Sequence, residues 1–359
     1  QQKGRGAGGG KRSPCFDGRM NHANLSIFVP HVGCPCRCSF CNQRTISGAE
    51  QLPDGQSVHA LCKQAAKDLG KRVHATEIAF FGGSFTAIEK NYMCELLQAA
   101  KNCVEEYGFA GIRASTRPDA VDETIVECLR SYGVTALELG AQSMDDGVLF
   151  QNNRGHTAQD VRTAARLVKD AGISLGVQMM TGLYGSTSEK ELDTANGLIA
   201  LGPDTVRIYP TVVLKGTMLA QRMQSGEYCA PGVEASAELC AELMDLFEQA
   251  GIKVIRVGLH ASKEVEQQAV GGAYHPAFRE LCEAKRFLSR ILLQLQSRPK
   301  EREYEIWVHP SCVSKAVGQH KRNLEILAGQ GYPVCIRQAK EIPCGAVQIR
   351  EKGGVAGCI

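Results

Sequence analysis

Leu25-Ser26-Ile27-Phe28-Val29-Pro30-His31-Val32-Gly33-Cys34-Pro35-Cys36-Arg37-Cys38-Ser39-Phe40-Cys41-Asn42 is a short run of β-favouring apolar residues that breaks at a proline and leads into four cysteines within eight residues. An apolar run this short, bounded by a turn signal, reads as a strand buried on both faces. The same unit recurs downstream, at 77–81, 111–115, 136–139, 174–179 and 205–209. Helical composition fills the intervals, at 58–69, 92–107, 121–132, 158–171 and 188–201. Gly108, Gly133, Gly172 and Gly202 each follow a helix segment, at the position where a left-handed cap favours glycine. Six βα units in succession predict a parallel sheet, and right-handed crossovers curl such a sheet into a partial or full (β/α) barrel.

A seventh unit follows, with a helix over 234–250 and a strand over 253–259, and after Gly271-Gly272 the character changes. A basic helix over 277–296 leads into a strand at 304–309, a helix at 314–328 and a strand at 334–337. The expected organisation is a disordered basic tail over 1–24, a barrel over 25–272 and a small α/β appendage over 273–359. Residues 1–24 carry five basic and one acidic side chains and residues 285–359 thirteen and six, leaving 25–284 at about −8 within a net charge of +3. Basic ends on an acidic body suit a polyanion held at the periphery. With 43% apolar residues the 359-residue chain can bury a large core, which excludes general disorder. No signal peptide is evident. Apolar runs such as 78–81 and 291–293 fall far short of the roughly 20 residues that span a bilayer, so no membrane association is expected.

Sixteen cysteines are too sparse for a disulfide scaffold, and most stand singly, which reads as a reduced, cytoplasmic set. Cys34, Cys38 and Cys41 are different. Their CxxxCxxC spacing directly follows the first strand, at the carboxyl end where barrels place their chemistry. Three thiolates can hold three irons of a four-iron cluster and leave the fourth iron open. A zinc knot using all four cysteines is the alternative, although zinc sites usually draw ligand pairs from two separated loops.

This spacing, with Phe40 before the last cysteine, resembles the signature of the radical SAM superfamily. The resemblance implies a 4Fe-4S cluster on Cys34, Cys38 and Cys41, with Cys36 a bystander. It also implies S-adenosylmethionine as cofactor, cleaved by one electron to a 5′-deoxyadenosyl radical, and a reductant such as flavodoxin or ferredoxin. Phe80-Phe81-Gly82-Gly83-Ser84-Phe85 is similar to the superfamily's glycine-rich motif, where bare backbone approaches the methionine end of the cofactor. Further stretches resemble the catalytic subunit of Elongator, a tRNA wobble-uridine modifying enzyme, and more closely its short bacterial Elongator-like relatives. These are Ser115-Thr116-Arg117-Pro118-Asp119, Gly140-Ala141-Gln142-Ser143, Asn153-Arg154-Gly155-His156-Thr157, Met179-Met180 and Ile208-Tyr209-Pro210-Thr211. Carried over, Gly82, Gly83 and Ser84 line the methionine moiety, and Gln142, Arg154 and Gln178 contact its carboxylate or the ribose. Nothing after Gly258 resembles the acetyl-CoA turn of that subunit, so the resemblance does not extend to acetyl transfer.

Within the appendage, Gly318-Gln319-His320-Lys321 is similar to a degenerate KH turn with its second glycine replaced. Lys315, Lys321 and Arg322 there are candidate phosphate contacts. Three functions are therefore carried forward. The first is a radical SAM enzyme acting on tRNA. The second is the same machinery acting on a small molecule, as in the oxygen-independent coproporphyrinogen oxidase group. The third is a non-catalytic RNA-binding protein with a structural metal.

Overall fold

The strand preceding the cysteines, β1 (Ala23–Phe28), starts the main sheet of a computed structural model that describes residues 23–29, 34, 38–42 and 51–352. Most of the basic tail, and Cys36, lie outside those residues; Ala23 and Asn24, assigned to the tail from sequence, begin the strand. Beside β1 stand β2 (Thr76–Phe81), β3 (Gly111–Thr116), β4 (Val134–Gln142), β5 (Ser174–Thr181) and β6 (Thr205–Pro210). After a short β7 (Val212–Leu214), β8 (Lys253–Val257) completes the order β1-β2-β3-β4-β5-β6-β8. Every pairing is parallel. Parallel neighbours need crossover connections, and helices such as Lys90–Tyr107, Ala158–Asp170 and Ser188–Ile199 supply them. Among the described residues β8 makes no ladder back to β1, so the sheet is an open, partial barrel.

Strand alternation sorts the side chains onto two faces. Ile78 and Phe80, Ile112 and Ala114, Leu137 and Leu139, and Leu175 and Val177 share one core with helix residues Met93, Leu96, Leu97 and Ala100. Those helix residues recur at the three- and four-residue spacing of a single face. The opposite parity is polar. Glu77, Arg113, Glu138, Gln178 and Arg207, one from each of five successive strands, lie on the sheet face away from the helices. The helix stops behave as the sequence predicts: Gly108 and Gly172 sit at φ 76° and 72°, left-handed conformations that cost other residues more.

One compact unit runs to Arg286 and a second begins at Phe287, within helix Phe278–Leu295. The second unit has its own three-stranded sheet. Its centre, β10 (Tyr304–Val308), follows the short β9 (Ala269–Gly272) of the first unit. β10 pairs in parallel with β11 (Val334–Gln338) and antiparallel with β12 (Gln348–Glu351). Tyr304, Ile306 and Val308 point into a core with Phe287, Ile291, Ala316 and Leu327.

The helix expected over 314–328 is instead two, Val313–Val317 and Arg322–Gly329. The chain turns at Gly318 (φ 75°), and His320 and Lys321 follow in left-handed conformations at 51° and 65°. Asn323 is buried beneath the turn and donates to the Lys315 and Ala316 carbonyls at 3.3 and 3.1 Å, satisfying acceptors that the interrupted helix leaves open. No helix among the described residues is long and apolar enough to cross a membrane.

Candidate active site

The cysteine loop follows β1, and three other segments hold it in place. Ser39 is fully buried; its amide donates to the Asn152 carbonyl at 3.0 Å and its hydroxyl to Asn152 Oδ1 at 2.7 Å. Asn152 is itself oriented by its amide, which donates to the carbonyls of Val148 and Tyr184 at 2.8 and 2.9 Å. The Ser39 carbonyl accepts the Leu219 amide at 2.8 Å, and Phe40 packs on Val213, Leu219 and Tyr228. Cys38 and Cys41 close one turn, the Cys41 amide donating to the Cys38 carbonyl at 3.1 Å.

The thiols of Cys34, Cys38 and Cys41 are all free of disulfides. Desolvation pushes the Cys34 thiol up although its side chain keeps solvent contact. The Ser84 amide, donating to that sulfur, pulls the other way, and nearby Cys38 adds to the rise. Among the described residues no three His, Cys, Asp or Glu side chains converge tightly enough to enclose a metal ion.

The ends of β2, β3 and β4 complete the mouth. Gly82 turns at φ 102°, and the buried Ser84 hydroxyl meets Thr116 Oγ1 at 2.9 Å and accepts the Arg117 amide at 3.1 Å. Arg117 forms a two-pronged pair with Asp119 at 2.8 and 2.7 Å. At the end of β4 the ladder shifts register between Leu139 and Gln142, and Gln142 adopts φ 67°. Left-handed backbone at a non-glycine strand end is a strained feature that concentrates at functional sites. Gly140 makes room there: a Cβ would stand 3.1 Å from Gln142 Nε2 and 3.4 Å from Arg154 Nη2.

Arg154 spans the mouth, with Nη2 on the Gly140 carbonyl at 2.6 Å and Nη1 on Cys38 Sγ at 3.1 Å. Three buried polar atoms nearby have no partner among the described residues: Gln142 Oε1, Arg154 Nε and His156 Nδ1. Buried polar atoms are almost always paired, so a group of orphans at one mouth suits a polar ligand. Thiols outside any disulfide, a bare glycine backbone and orphaned donor and acceptor atoms therefore fit an iron–sulfur cluster with a polar cofactor beside it.

The structure brings Cys34, Cys38, Ser84, Gln142 and Arg154 to this mouth. Gln178 lies further down the sheet, where its amide donates to Glu138 Oε2 at 2.9 Å. Glu138 also accepts from Arg207 at 2.6 and 2.8 Å and from Arg113 at 3.1 Å, and Arg113 reaches Glu77 at 2.6 Å. Burial opposes ionisation of Glu138, but Arg207, Gln178 and Arg113 outweigh it and hold the carboxyl below its usual range. Sequence reasoning missed this network, and also Asn152, whose partner Ser39 is 113 residues away. The only local signal was charged residues inside strands otherwise buried. In the second unit Lys321 and Arg322 are exposed at the Gly318 turn, with Lys315 half-buried on the preceding helix.

The profile of the radical SAM superfamily matches residues 28–198, and that of the radical SAM C-terminal domain matches 203–290. A tRNA uridine(34) acetyltransferase from Dehalococcoides mccartyi is 26% identical over 237 residues, covering 57% of this chain and 52% of that protein. Human Elongator complex protein 3 is 28% identical over 240 residues, covering 61% and 43%. The chain thus spans about half the length of the curated relatives it matches. Among solved structures, an Elp3 of the archaeon Methanocaldococcus infernus superposes with a TM-score of 0.61 at 21% identity, covering 79% of this chain and 66% of that one.

Proposed function

This chain belongs to the radical SAM superfamily, and from that premise we propose that it is a radical SAM enzyme that modifies tRNA. Family membership implies a 4Fe-4S cluster and S-adenosylmethionine, which together supply one-electron cleavage of a sulfonium and a hydrogen-abstracting radical. In this reading Cys34, Cys38 and Cys41 hold the cluster. Gly82, Gly83 and Ser84 bring bare backbone and a fixed hydroxyl to the methionine end. Gln142 and Arg154 take the carboxylate or ribose, and Gln178 would join them by releasing Glu138. Asn152 and Phe40 hold the loop and exclude water from its inner side.

The observation that carries the site reading is the set of orphaned atoms, Gln142 Oε1 and Arg154 Nε, beside Cys38. A guanidinium edge and an amide oxygen together suit an amino acid head group, which both accepts and donates. Support for tRNA comes from the named relatives and from the excess of basic residues over 285–359. Lys315, Lys321 and Arg322 would then contact phosphate, a soluble low-potential protein would deliver the electron, and the site of action would be the cytoplasm.

The test has two stages. Anaerobic reconstitution followed by reduction with S-adenosylmethionine present should yield 5′-deoxyadenosine, and loaded protein that yields none defeats the radical reading. Total tRNA from cells lacking the protein should miss one modified nucleoside. An unchanged nucleoside profile removes tRNA as the substrate.

A further inference from the structure

Arg154 makes its closest side-chain contacts with a backbone carbonyl and a sulfur. Only 7% of it is exposed, its Nη2 is fixed on Gly140, and its Nη1 donates to Cys38 Sγ at 3.1 Å. The backbone aims it. Asn153 and Gly155, on either side, take left-handed conformations at φ 53° and 71°, and the Arg154 amide donates to the Leu149 carbonyl at 3.0 Å. The preceding residue but one, Asn152, is tied to Ser39, which neighbours Cys38. Guanidinium and sulfur are thus carried by two segments bonded to each other, so their approach is set by the fold rather than by a mobile side chain.

We propose that Arg154 is a positioning residue that raises the reduction potential of the cluster by donating to the Cys38 ligand sulfur. The proposal rests on the reading that Cys34, Cys38 and Cys41 hold that cluster. Reduction adds one electron from an external low-potential donor, with no proton bound, and makes the iron–sulfur–thiolate unit one charge more negative. A hydrogen bond to a ligand sulfur stabilises the more negative state by more than the other, and potentials of such clusters follow hydrogen bonds to the sulfurs. In water-poor surroundings a charge-assisted bond of this kind is stronger than at the surface.

The experiment uses the full chain, reconstituted anaerobically without S-adenosylmethionine, so that any role of Arg154 toward that cofactor is silent. Iron and sulfide are counted, and the cluster is titrated with dithionite while its paramagnetic signal is followed. Arg154→Gln should lower the reduced-to-oxidised ratio at a fixed potential at least tenfold, equivalent to a midpoint about 59 mV more negative for one electron. Arg154→Lys, too short to hold Gly140 and the sulfur together, should shift in the same direction by less.

Variants that carry the parent's iron and titrate at the parent's potential overturn the proposal. Loss of iron from both variants with helical content intact also overturns it, because Arg154 would then act on loading and not on potential. A parent chain that binds no iron overturns the underlying cluster reading instead, a different and recognisable outcome.

Discussion

His156 places Nε2 at 3.1 Å from the Ala141 carbonyl and leaves Nδ1 buried without a partner among the described residues. The neutral ring fits this arrangement, with Nε2 as donor and Nδ1 bare. Burial, with Arg154 adding to it, pushes the imidazole down to about 4. Since an unfolded histidine titrates near 6.5, the unfolded chain takes up a proton between about pH 6.5 and 4 that the folded chain refuses. Stability therefore falls as pH falls through that window, by about 3 kcal/mol once both states lie below their pKa values. Urea unfolding from pH 7.5 to 4.5 should show this slope, and His156→Asn should flatten it; a variant with the parent's slope would assign the proton elsewhere. Cys34, Cys38 and Cys41 stood out in the sequence as candidate ligands through their spacing after the first strand. Asn152 was not, because nothing in an asparagine at a helix end announces a serine 113 residues earlier.

Register between strands decides what a buried charge meets. Glu138 is 1% exposed on β4, opposite Ser115 on β3 and Gly176 on β5. A Cβ at Gly176 would stand 2.7 Å from Glu138 Cγ, so the glycine leaves the carboxylate room to reach Arg207. Breaking a buried pair by removing one partner costs about 3–5 kcal/mol, since the other charge stays buried alone. Arg207→Met should lower stability by about that amount, and adding Glu138→Gln should restore part of it in a double-mutant cycle. Strictly additive losses, read from urea unfolding, would mean that the two side chains are not coupled. The strands and helices of the barrel were legible because apolar periodicity and glycine stops agree locally. The split at Gly318 was not, since 314–328 keeps helical spacing and the break depends on Asn323 packing beneath the turn.

At the scale of the whole chain, charge is unevenly distributed, and on the proposed tRNA reading the salt dependence of tRNA binding should report it. A polyanion held by lysine and arginine releases counterions, so affinity should fall steeply and linearly on a log–log plot against salt. Replacing Lys315, Lys321 and Arg322 by Ala should make that slope shallower by about two, since each phosphate that a cation neutralises adds roughly 0.7–0.9 to it. An unchanged slope in a folded triple variant would move the grip elsewhere, and a flat slope in the parent would remove the polyanion. Sequence by itself determined the order of βα units, the place of the thiols after the first strand and the basic excess toward the ends. Each depends on neighbours in the chain, through periodicity, turn residues and spacing. Tertiary structure alone decided which polar atoms meet: Ser39 with Asn152, Arg154 with Cys38, and five charged or amide side chains from five strands in one network. Those meetings depend on strand register and on the path of crossovers, which close distances that no local pattern encodes.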